Sequence, residues 1–172
     1  MLFRLFAVLC ACLIWAGQPA FSHAASPFAG SAPSGLGLQG GKLADCPSTP
    51  NCVVSQGGDS SHSIDAIPYG GDRQTAYTAL LQVLSVVPRT TIIEHNIEAN
   101  DAYIRAESRS RLLGFVDDVE FYLPADQAVI HLRSASRLGE SDLGVNRRRL
   151  EQIRLALQDL GVATTSTTPA NP

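Results

Sequence analysis

Apolar residues recur at three- and four-residue spacing along one stretch of the chain: Ala76, Tyr77, Leu80, Leu81, Leu84 and Val87. This is the stripe of an amphipathic helix from Arg73 to Val87, with Asp72 as N-cap and Pro88 as stop. Four strand-like segments follow, Thr90–Ile97, Ala102–Ser108, Phe115–Leu123 and Ala128–Arg137. Asn100-Asp101, Leu113-Gly114 and Pro124-Ala125-Asp126 lie between them as turn material. Those gaps are too short for helical crossovers, so the strands must pair as an antiparallel meander. Leu150, Ile153, Leu157 and Leu160 then mark one face of a last helix, Asn146 to Leu160, which Gly161 closes. The order predicts an α+β fold: a two-layer sandwich whose four-stranded antiparallel sheet is covered on one face by two helices.

Alternation within the strands assigns faces. Asp118 and Glu120 share one side, while Asp117, Val119 and Phe121 share the other. In the next strand Ile130, Leu132, Ser134 and Ser136 oppose His131, Arg133 and Arg137. Matching apolar faces sets Val119 across from Leu132, Phe121 across from Ile130, Asp118 across from Arg133 and Glu120 across from His131. With Arg105, Glu107 and Arg109, the polar side reads as a charge-laced, solvated open face. Asp117 stands on the apolar side, where an unpaired carboxylate is costly, so it needs an Arg partner or a function.

The flanks carry no such pattern. Residues 1–24 combine Arg4, an apolar run from Leu5 to Ala16, and Ser22-His23-Ala24, the parts of a secretory signal cut after Ala24. The run is short for a membrane span of about 20 residues, so no stable span is expected after cleavage. Residues 25–42 are rich in Gly, Ala, Ser and Pro and read as a flexible linker. One domain is expected over 43–161, with a disordered tail over 162–172.

The formal net charge of −3 argues against a nucleic-acid binder. Of the 13 basic residues only Lys42 is Lys, and nine of the Arg fall between Arg105 and Arg154. Arg grips carboxylates and phosphates with a two-pronged fork that Lys lacks.

Three motifs carry a resemblance. Cys46-Pro47-Ser48-Thr49-Pro50-Asn51-Cys52-Val53, Gly114-Phe115-Val116-Asp117-Asp118-Val119-Glu120-Phe121 and the run from Arg133 to Arg149 resemble the uncharacterised domain-of-unknown-function family 1499. The Arg- and Leu-rich wording is similar to cyanobacterial members, which implies a periplasm or thylakoid lumen. The resemblance implies no activity and no catalytic residues.

Cys46 and Cys52 are the two cysteines left after signal cleavage. In an oxidising compartment they are expected to form a disulfide; a redox-active pair and a zinc site completed by His62, His95 or His131 are the alternatives. No cofactor or metal signature is present, and Ser134, Ser136 and Ser141 near His131 lack a nucleophile elbow. Arg147-Arg148-Arg149 at a helix start oppose the helix dipole, so either the helix begins earlier, capped by Ser141 or Asp142, or the arginines meet anions, external ones or internal carboxylates. Asp117, Arg133, Arg137, Asp142, Asn146 and Arg147 form the candidate ligand-binding corner. The expected function is an exported accessory domain binding a partner protein or a small acidic ligand. The alternative is an enzyme built on Asp117, Arg133, Arg137, Asp142 and Asn146.

Overall fold

The computed structural model describes residues 26–164. The expected signal segment 1–24 and the end of the expected tail, 165–172, lie outside the described residues. Eight elements follow in order: β1 (Cys52–Val54), β2 (Ile67–Pro68), α1 (Arg73–Val86), β3 (Thr90–Ile97), β4 (Asp101–Arg109), β5 (Val116–Pro124), β6 (Val129–Ser136) and α2 (Val145–Asp159). Asp72 caps α1 by accepting the Thr75 amide at 2.8 Å. Ala76, Tyr77, Leu80, Val83 and Leu84 form its buried stripe.

The fold is α+β, with both helices on one face of an antiparallel sheet. The sheet has six strands rather than the expected four, in the order β1-β6-β5-β4-β3, and β2 also pairs with β6. β1 and β2 have three and two residues, too few to show a period in sequence. Phe121, Leu132, Ile104, Leu80, Leu84, Leu150, Ile153 and Leu157 meet in the core between helices and sheet. Each such side chain contributes about 1.5–3 kcal/mol on burial.

The faces of β5 and β6 are as the alternation predicts, but the register is not. Val119 pairs with Ser134, Glu120 with Arg133 and Phe121 with Leu132. The expected register, with Asp118 opposite Arg133, is therefore wrong by two residues. A slip of two keeps every side chain on its face, so alternation cannot detect it. The turn decides: β5 runs to Pro124 and β6 starts at Val129, so a loop over 125–128 joins them instead of a tighter hairpin.

The second face is not open, and this corrects the two-layer expectation. Residues 26–45, of which 26–42 read as flexible linker in the sequence, run across it as coil. Ser26 Oγ donates to the Leu113 carbonyl at 2.7 Å, and the rings of Phe28 and Phe115 are 5.2 Å apart. Leu43 packs with Tyr103 and Tyr122, with Leu38 beside them. Gly37, at φ +97°, turns its amide onto Glu120 Oε1 at 2.8 Å, a conformation that favours glycine. Beneath this cover Asp118 is 1% exposed and Glu120 is fully buried.

Each buried carboxylate has arginine partners. Arg137 grips Asp118 through Nε at 2.7 Å and a terminal nitrogen at 2.8 Å, and also donates to Glu107. Those bonds, first to Asp118 and then to Glu107, hold Arg137 protonated well above its ordinary range against the cost of burial. Glu120 accepts from Arg133 at 3.1 Å and from the Tyr103 hydroxyl at 2.8 Å. Burial and then the Glu120 charge push the Tyr103 phenol far above its usual value.

Cys46 and Cys52 form the expected disulfide, with Cα atoms 5.6 Å apart. It ties the end of the coil segment to β1. For so short a loop the chain-entropy gain is about 2 kcal/mol.

Candidate functional site

The buried stripe of α2 includes a polar residue, Asn146, together with Leu150, Ile153 and Leu157. Asn146 is fully buried, so its amide must be satisfied inside the fold. Its Nδ2 donates to the Asn51 carbonyl at 3.0 Å and to Ser136 Oγ at 3.1 Å. Its Oδ1 accepts from Ser134 Oγ at 2.5 Å and from Arg149 at 2.7 Å. Arg149 lies one turn along the same face of α2, and its other terminal nitrogen donates to Asp117 at 2.5 Å. Asp117 therefore has its buried Arg partner, supplied by α2 and not by a neighbouring strand. It pairs across the sheet with Ser136, not beside Ser134.

Asp142 belongs to the same corner. Its carboxylate accepts the Gly144 amide at 2.9 Å and the Asn146 amide at 2.7 Å, an Asx turn that opens α2. A negative charge at that end offsets the three arginines of the first turn. Those arginines also have internal partners: Arg147 donates to the Ser61 carbonyl at 3.1 Å, Arg148 to the Leu143 carbonyl at 2.8 Å, and Arg149 to Asp117.

The six candidate residues do not form one site. Asp117, Asp142 and Asn146 meet on the helix side. Arg133 and Arg137 lie on the opposite face, paired with Glu120 and Asp118. Strand alternation requires this split, because Ser134 and Ser136 point to the helices. Arg147 points away to the 59–62 turn. Ser134 and Ser136 hydrogen-bond Asn146 on the face opposite His131. His131 instead approaches Ser55 Oγ at 3.2 Å, and burial lowers its pKa. Among the described residues no group of three His, Cys, Asp or Glu could hold a metal.

Two clefts flank Asp117. One, of about 250 Å³, is lined by Phe115, Leu138, Leu143 and Val145 together with Ser110, Ser136 and Asp142. The other, of about 400 Å³, is lined by Arg89, Arg109, Arg111, Arg148 and Arg149, with Ser108, Ser110 and Gln152. Five arginines thus line a cleft with one acidic residue, Asp117, which Arg149 already engages. Arg109 reaches Glu107 at 3.0 Å. Arg89, Arg111 and Arg148 have no carboxylate within 4.0 Å among the described residues. The two non-glycine residues at positive φ among the described ones, Arg89 (58°) and Leu143 (54°), both border these clefts. Strained backbone persists only where its surroundings hold it, and it concentrates at binding sites.

This arginine cleft has no contiguous signature in the sequence, because its residues come from the α1–β3 turn, the end of β4, the β4–β5 loop and α2. One signal was available. Arg149 is three residues after Asn146 and four before Ile153, so helical spacing already aimed it at the sheet.

Residues 42–157 match the family described as protein of unknown function, DUF1499. No curated protein and no solved structure matches the chain.

Proposed function

Since the chain belongs to the DUF1499 family of proteins of unknown function, we propose its role from its own site: an exported, non-catalytic domain that binds an anionic group in the arginine cleft beside Asp117. The group belongs to a small acidic ligand or to a partner protein. The observation that carries this reading is the gathering of Arg89, Arg111 and Arg148 at one cleft without carboxylate partners, in a chain whose formal net charge is −3. Like charges held together cost the fold energy that a bound anion offsets, and forked guanidiniums suit oxyanions. The enzyme alternative has less support. Asp142 is engaged by two amides and Asp117 by Arg149, and Arg133 and Arg137 sit behind the sheet.

The test is a melting curve in phosphate against chloride at matched ionic strength. At a hundredfold excess over Kd, ligand binding adds about 2.7 kcal/mol, a rise of several degrees. Arg111→Ala/Arg148→Ala should melt no lower than the wild type in chloride, since it relieves like-charge repulsion, and should lose the rise in phosphate. Equal melting in both salts for the wild type would remove the proposal.

Export rests on Arg4, the apolar run and Ser22-His23-Ala24, and a disulfide between Cys46 and Cys52 suits an oxidising compartment such as the periplasm or thylakoid lumen. Mass spectrometry of the native protein should find a chain beginning near Ala25. An intact chain in the cytoplasmic fraction contradicts export.

A further inference from the structure

The arginine cleft does not end in solvent on every side. At Val87, Pro88, Arg149 and Gln152 it continues into a second hollow of about 250 Å³ between α1 and α2, since those four residues line both. The remaining walls of that hollow are Val83, Val86, Ile153 and Ala156, all apolar. Val86, in the last turn of α1, is 75% exposed. We infer that the ligand of the arginine cleft is an anionic amphiphile, its oxyanion head among Arg89, Arg111 and Arg148 and its hydrocarbon chain in the groove between α1 and α2. This rests on the anion-binding reading and narrows it to a ligand class.

A small inorganic anion has no use for the groove, and an apolar ligand has none for guanidiniums that lack a carboxylate. Only a molecule with both parts satisfies both surfaces. The opposite cleft, at Phe115 and Leu143, also has apolar walls, but the acidic residues Asp117 and Asp142 line it too. Val87 and Pro88 give the other passage an apolar wall, and no acidic residue lines the groove beyond it.

The experiment compares decyl phosphate with methyl phosphate on the 25–172 chain by calorimetry, below the micelle concentration of the decyl ester. Each methylene taken out of water tightens binding about fourfold, so three or four in the groove give roughly a hundredfold preference for decyl phosphate. Val86→Ser/Ala156→Gln makes the groove polar and narrower. It should remove most of that preference while methyl phosphate binding stays within threefold of wild type. Ala156→Gln alone serves if the double variant melts early. Equal affinity for the two esters overturns the amphiphile and leaves the anion site standing. A preference that survives the groove variants, or survives Arg111→Ala/Arg148→Ala, also overturns it, because the chain then binds elsewhere. No binding of either ester removes the anion reading itself.

Discussion

Glu120→Ala should cost about 3–5 kcal/mol of folding stability, the usual penalty for stranding one member of a buried ion pair. Glu120 is fully buried and accepts from Arg133, the Tyr103 hydroxyl and the Gly37 amide. Removing the carboxylate leaves Arg133, itself 6% exposed, charged and unpaired under the coil segment. It also releases one of the contacts through which residues 26–45 hold to the sheet, the Gly37 amide on Glu120. Urea unfolding of the variant should show a lower midpoint. Glu120→Leu/Arg133→Met should recover most of the loss, because two apolar groups of similar volume need no counter-charge. A single-variant cost below about 1 kcal/mol would mean that water already reaches this layer.

Asp117→Asn should move stability and ligand binding in opposite directions. The substitution keeps the shape but removes the charge that holds Arg149, whose side chain is 12% exposed against 9% for Asp117. Breaking a charge-assisted bond in so dry a place costs about 2–3 kcal/mol. Arg149 also lines the arginine cleft, and without the Asp117 charge the terminal nitrogen that it held becomes a further oxyanion donor there. Phosphate affinity should rise about tenfold, which is about 1.4 kcal/mol. The two effects are read separately, by unfolding in chloride and by phosphate titration. A loss of stability with no gain in affinity would assign Arg149 to the internal network alone.

Together these variants separate two uses of arginine in one small domain. Arg133, Arg137 and Arg149 answer buried carboxylates, and Arg137 does so on Asp118 with a fork that a lysine ammonium cannot reproduce. Arg89, Arg111 and Arg148 line one cleft and, among the described residues, pair with no carboxylate, which is the basis for the proposed anion site.

Some features follow from the chain alone. The stripe of α1, its Asp72 cap, the boundaries of β3 and the faces of β5 and β6 rest on local periodicity, and periodicity survives in any context that buries one side. So does the demand that Asp117 find a cation. The Cys46–Cys52 pairing follows from two nearby thiols and an expected oxidising compartment.

Other features needed the whole fold. Register needed the length of the 125–128 loop, since a shift of two residues is invisible to alternation. The coil over residues 26–45 has no period, so nothing in its Gly- and Ser-rich wording announced that it covers the charged face. Alternating charged residues read the same whether they meet water or each other, and only that cover turned Asp118 and Glu120 into buried partners of Arg137 and Arg133. The arginine cleft is the furthest case. Its members are distant in sequence, and they converge only because the α1–β3 turn, the β4–β5 loop and the start of α2 reach the same end of the sheet.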